Sequence, residues 1–153
     1  MKQALLPALL ALFVAHSPGG AGELDALVRG WYRPYEKDTA DSSALQLLLP
    51  HASKRLAALI AKEERCAARN GICNLDFDVI INAQDWQLKN LRVESAKLEG
   101  DRASVVARFT NIDTRQEIIY RFVRQSEGWR LDDVEARLPA THRWMLSRIL
   151  TRS

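Results

Sequence analysis

An α+β fold, with helices first and an antiparallel sheet of about four strands after them, follows from three observations. Apolar residues recur at intervals of three and four between Leu24 and Ala67. Between Leu91 and Val134 they alternate instead with polar residues. The period changes once, near Leu88, so helices and strands are segregated along the chain rather than interleaved. A sheet with one apolar face must be covered, and the N-terminal helices are the available cover.

The front of the chain stands apart from this pattern. Of 153 residues, the first 22 read as an export signal. Lys2 supplies a minimal positive start, Leu5 to Val14 an apolar core, and Gly19 to Gly22 the small residues at which cleavage near Ala21 or Gly22 is expected. The apolar run is too short to span a bilayer and is interrupted by Pro7. No Cys follows it, so a lipid anchor is not expected. The mature chain, residues 23–153, is then one domain, periplasmic or secreted.

Leu24, Leu27, Val28, Trp31, Tyr32 and Tyr35 mark one face of a first helix, with Pro34 expected to end or kink it near Arg33. A short helix over residues 43–49 stops at Pro50. The clearest helix runs from Ala52 to Arg69, with Leu56, Leu59, Ile60 and Ala67 inward and Lys54, Arg55, Lys62, Glu63 and Arg65 outward. Asn70-Gly71 is a helix-closing pair. Cys66 and Cys73 are the only cysteines, and in an oxidising compartment they should bridge, tying the last helical turn to the residues that leave it.

The strands follow in order. Leu91, Val93 and Ser95 lead to a turn at Gly100-Asp101; Val105, Ala107 and Phe109 form the second strand; Ile118, Tyr120 and Phe122 form the third, ending at Ser126-Glu127-Gly128. In the fourth, Trp129, Leu131 and Asp133 alternate with Arg130, Asp132 and Val134. Asp132 and Asp133 should therefore face opposite sides, one pairing with an Arg such as Arg121 and the other solvated. A last helix is expected over residues 141–150, carrying Trp144, Met145, Ile149 and Leu150.

Charge and composition exclude several classes. Removing Lys2 with the signal leaves 21 basic side chains against 19 acidic ones, so the mature chain is near neutral and no nucleic-acid partner is indicated. Three His and two Cys, without ligand spacing, give no metal site, and no phosphate-binding Gly loop or nucleophile motif calls for a cofactor. The tail is more basic, with Arg137, His142, Arg143, Arg148 and Arg152; it reads as a solvated face or as a contact for anionic lipid or an acidic partner. The most unusual segment is DFDVIINAQDW, Asp76 to Trp86, which packs three carboxylates, two amides and two aromatics between helix and sheet. Such carboxylates act as acids or bases when apolar surroundings raise their pKa, or bond to backbone amides and rigidify a loop.

Val28-Arg29-Gly30-Trp31-Tyr32, Leu75-Asp76-Phe77-Asp78 with Ala83-Gln84-Asp85, and Gly128-Trp129-Arg130-Leu131-Asp132-Asp133-Val134 together resemble a family of exported bacterial proteins with the nuclear transport factor 2-like (cystatin-like) fold. The resemblance implies a bent sheet closed by helices into a cone. In enzymes of that fold an Asp works with a Tyr inside the cone, which would make Asp78 or Asp85 with Tyr32 or Tyr35 the catalytic pair of an isomerase or hydratase. The favoured reading is non-catalytic: a binding or interaction module, an inhibitor or immunity protein being one form of it, with Trp31, Tyr35, Asp76, Asp78, Gln84, Asp85 and Trp86 as candidate contacts to a protein or small-molecule ligand. The fold also implies homodimerisation through the sheet as an option.

Overall fold

The computed structural model describes residues 20–41 and 43–152. Most of the expected export signal, residues 1–19, lies outside the described residues, and its last two positions, Ala21 and Gly22, open the first helix. Among the described residues, four α-helices, α1 (Ala21–Glu36), α2 (Ala44–Leu48), α3 (Lys54–Asn70) and α4 (Leu146–Leu150), flank a six-stranded antiparallel sheet. Its strands are β1 (Leu88–Val93), β2 (Lys97–Glu99), β3 (Arg102–Asn111), β4 (Thr114–Gln125), β5 (Gly128–Leu138) and β6 (Trp144–Met145). The order across the sheet is β1-β3-β4-β5-β6, with β2 also pairing to β3. The expected α+β arrangement is present, with six strands rather than about four.

Helix α1 buries Leu24, Val28, Trp31, Tyr32 and Tyr35, the stripe its spacing predicts. It runs through Pro34 to Glu36 instead of ending near Arg33. The proline forfeits one backbone bond close to the helix end. The turn still carries Tyr35 onto the face of Trp31 and Tyr32, and that burial outweighs one lost bond. After α2, a 3₁₀ turn at Leu49–His51 contains Pro50. Ser53 then caps α3: its hydroxyl oxygen accepts the Leu56 amide at 3.1 Å and its hydroxyl donates to Asp132 at 2.7 Å. Gly71, at φ 82°, closes α3 with its amide donating to the Ala67 carbonyl at 2.7 Å. The Cys66–Cys73 disulfide is present.

Glu63, expected on the wet side of α3, is buried. Its position, seven after Leu56 and three after Ile60, places it on the inward stripe. There its carboxylate accepts the amides of Asn74 and Leu75, at 2.7 and 2.8 Å, and the Asn74 side-chain amide at 2.9 Å. The chain leaving α3 is thus held by a carboxylate and by a disulfide.

The inner face of the sheet is built from cross-strand pairs. Ala103, Val105 and Ala107 of β3 oppose Phe122, Tyr120 and Ile118 of β4, and these oppose Leu131, Val134 and Ala136 of β5. The single expected strand from Leu91 to the Gly100 turn is two strands, β1 and β2, both lying along β3. On β5 simple alternation fails. Phe122 pairs with Leu131 and Arg121 with Asp133, so Asp132 is an extra residue in the ladder. This bulge reverses the parity of the residues after it as far as a second irregularity at Arg137, which is why Val134 rather than Asp133 faces the core beside Tyr120.

The same bulge corrects the expected pairing of the two aspartates. Asp132 accepts Arg55 at 3.1 Å, and Arg55 also lies 3.6 Å from Asp133, so one cation of α3 serves both. Asp133 is buried and accepts the Ser147 hydroxyl at 2.5 Å and the amides of Ser147 and Val134, each at 3.0 Å. Arg121 pairs with Glu135 instead. The expected helix over residues 141–150 is cut short for a related reason. Trp144 and Met145 pair with Ala136 and Glu135 as β6, and only Leu146–Leu150 is helical, anchored by Asp133.

Candidate functional site

The segment from Asp76 to Trp86 enters the molecule at the exit of α3 and ends at β1. Its middle is a closed loop: Asp78 and Ala83 form an isolated antiparallel bridge, with N–H···O distances of 2.9 and 3.3 Å. Asn82, at φ 57°, makes the turn. The bridge drives Val79, Ile80 and Ile81 inward, where all three are completely buried in the core shared by the helices and the sheet. An apolar run of three between Asp and Asn is what such a plug requires.

Asp78 organises the plug. One carboxylate oxygen accepts the amides of Ile80 and Ile81 at 2.8 and 3.3 Å, and the other accepts the Tyr35 hydroxyl at 2.5 Å. Burial pushes the Asp78 carboxyl above its ordinary value, against the opposing pull of Tyr35 and the two amides. Burial and then the Asp78 charge push the Tyr35 hydroxyl up as well. Behind them, the Tyr32 and Tyr120 hydroxyls are 2.9 Å apart, and Tyr32 donates to the Ile80 carbonyl at 3.2 Å. Both phenols are buried and raised by that burial.

The seven candidate contacts therefore separate. Trp31 lies in the core, with ring centroids 5.1 Å from Tyr120 and 6.3 Å from Phe122. Tyr35 and the half-buried Trp86 meet edge to face at 5.6 Å. Asp85 is exposed; its main-chain carbonyl, not its carboxylate, is held, by the Asn111 side chain at 3.1 Å. Asp76, Asp78 and Gln84 come together, with the Gln84 amide donating to the Asp76 carbonyl at 3.1 Å. Of the expected pairs, Asp78 bonds to Tyr35 directly, whereas Tyr32 bonds to Ile80 and Tyr120.

Asp76, Asp78 and Gln84 line a groove of about 420 Å³, closed on its other sides by Ala44 and Leu45 of α2 and by Glu64 and Ala67 of α3. Glu63, Glu64, Asp76 and Asp78 line it and no Lys or Arg does, so its field is negative. The sequence reading missed Glu63, Tyr120 and Asn111. Glu63 was legible from the helical period; the other two lie on strands whose pairing brings them to the segment. No metal-binding group of three or more His, Cys, Asp or Glu occurs among the described residues. None of the described helices is long and apolar enough to cross a membrane. No family model matches the chain, and neither a curated protein nor a solved structure matches it.

Proposed function

We propose that this chain is an exported, non-catalytic binding module of the nuclear transport factor 2-like type, and that its acidic groove receives a cationic segment of a partner or a small cationic ligand. The observation that carries the reading is the state of Asp78. Its carboxylate is engaged by Tyr35 and two backbone amides, and the space behind it is filled by Val79, Ile80 and Ile81. A general base needs a vacant oxygen within reach of a substrate proton, and here the oxygens serve the loop. What stays open is the outer groove, where Asp76 and Gln84 are exposed. The expected export signal and the disulfide support action outside the cytoplasm.

The reversal of groove charge tests this. Asp76→Lys combined with Gln84→Lys should abolish capture of the cationic partner from periplasmic extract while leaving the melting temperature within a degree or two, since both side chains are exposed. Unchanged capture by that variant, or turnover of a small carbonyl substrate lost in Asp78→Asn, would sink the reading.

A further inference from the structure

A second concavity, on the opposite charge, lies between the β5–β6 edge and α4. It measures about 540 Å³, within the usual range for a small-ligand site. Arg137, Arg143, Arg148 and Arg152 line it, and Trp144 and Ile149 contribute apolar wall. Its one carboxylate, Glu135, is already shared between Arg121 and Arg137. Among the described residues, no acidic side chain pairs with Arg143, Arg148 or Arg152. Three guanidinium groups in one hollow therefore have no acidic side chain paired with them among the described residues.

The arrangement is also partly organised in advance. Arg143 donates through Nε to the Arg137 carbonyl at 3.1 Å, which orients its side chain and leaves both terminal nitrogens free. Arg137 donates through Nε to Glu135 at 2.9 Å. Arg148 stands on α4, and Arg152 follows its end with its amide donating to the Ile149 carbonyl at 3.1 Å. Arg152 also lines a smaller hollow beside the disulfide with Lys62 and Arg69, which extends the positive field.

We propose that this concavity binds a phosphate monoester carrying an apolar or aromatic group. Guanidinium forks match phosphate oxygens in pairs, and a dianion answers several uncompensated cations better than a single carboxylate does. The attached group would lie against Trp144 and Ile149. A concave site favours a discrete ligand over a flat membrane, although an anionic phospholipid headgroup also presents phosphate oxygens, as a diester with one charge.

Titration calorimetry of the full chain with phenyl phosphate at low salt tests the proposal. Saturable binding is expected. Arg148→Gln with Arg152→Gln should weaken it by about tenfold or more at unchanged melting temperature, because both side chains are exposed. Arg33→Gln on α1 should leave the affinity as it was. Absence of saturable binding would overturn the proposal, and so would equal weakening by the Arg33 variant, which would mark the effect as general charge. A parallel arm uses phosphatidylglycerol vesicles against phosphatidylcholine vesicles. Phenyl phosphate binding with or without vesicle binding supports the site; vesicle binding alone overturns it in favour of a membrane-facing patch.

Discussion

Asp78 accepts three hydrogen bonds: two, from the Ile80 and Ile81 amides, fix the turn of its own segment, and the third, from the Tyr35 hydroxyl, ties that segment to α1. Because burial raises its pKa, the folded chain holds the Asp78 proton more tightly than the unfolded chain does. Its contribution therefore favours folding as pH falls through the raised value toward the ordinary 3.8, and it is lost as pH rises through the raised value. Asp132 and Glu135 oppose this. Burial pushes each up, but Arg55 with Ser53, and Arg121 with Arg137, outweigh burial and leave both carboxyls below their usual range. Their stabilisation is present above the ordinary carboxyl range and declines as pH falls through their lowered values. Denaturation of the wild type and of Asp78→Asn across this window separates the contributions: the stability difference, wild type minus variant, should grow as pH falls toward 3.8. A flat difference would show that Asp78 titrates as in the unfolded chain.

At the level of elements, the exit of α3 decides where the groove lies. Gly71 turns the chain, Glu63 binds the amides of Asn74 and Leu75, and the disulfide joins Cys66 of α3 to Cys73. Loop-closure entropy for so short a ring amounts to about 2–3 kcal/mol. Replacing both cysteines by serine should lower urea-measured stability by about that amount. Amide exchange should accelerate over residues 72–78 more than in the first turns of α3. Equal acceleration throughout would mean that Glu63 alone positions the groove. The helical signals in this region were legible because they are local: the period of Leu56 and Ile60 and the Gly71 stop each involve residues within a few positions. The short C-terminal helix was legible too, but not where it starts, because Trp144 and Met145 obtain their ladder partners from β5.

Across the whole molecule, the sheet guards its edges and its outer face. Strand β1 is irregular between Lys89 and Arg92, with Asn90 at φ 56°, and β6 has only two residues. On the outer face, Arg108 pairs with both Glu94 and Glu117, and Glu135 with both Arg121 and Arg137. Homodimerisation through that face would have to desolvate these charges. Light scattering during gel filtration should accordingly give the monomer mass at micromolar concentration, and a concentration-independent dimer would contradict this account. The amino-acid sequence by itself determined the order of helices and strands, the buried stripe of α1, the Leu56 and Ile60 part of the α3 stripe, the helix-closing Gly71 and the disulfide, because period, turn chemistry and a lone cysteine pair are local or exclusive signals. Tertiary structure alone decided that Asp132 is an extra residue in β5, that Arg55 rather than Arg121 serves it, and that Val79–Ile81 fill the space behind Asp78. Strand parity and the partner of a charge depend on residues tens of positions away, and no local pattern carries that information.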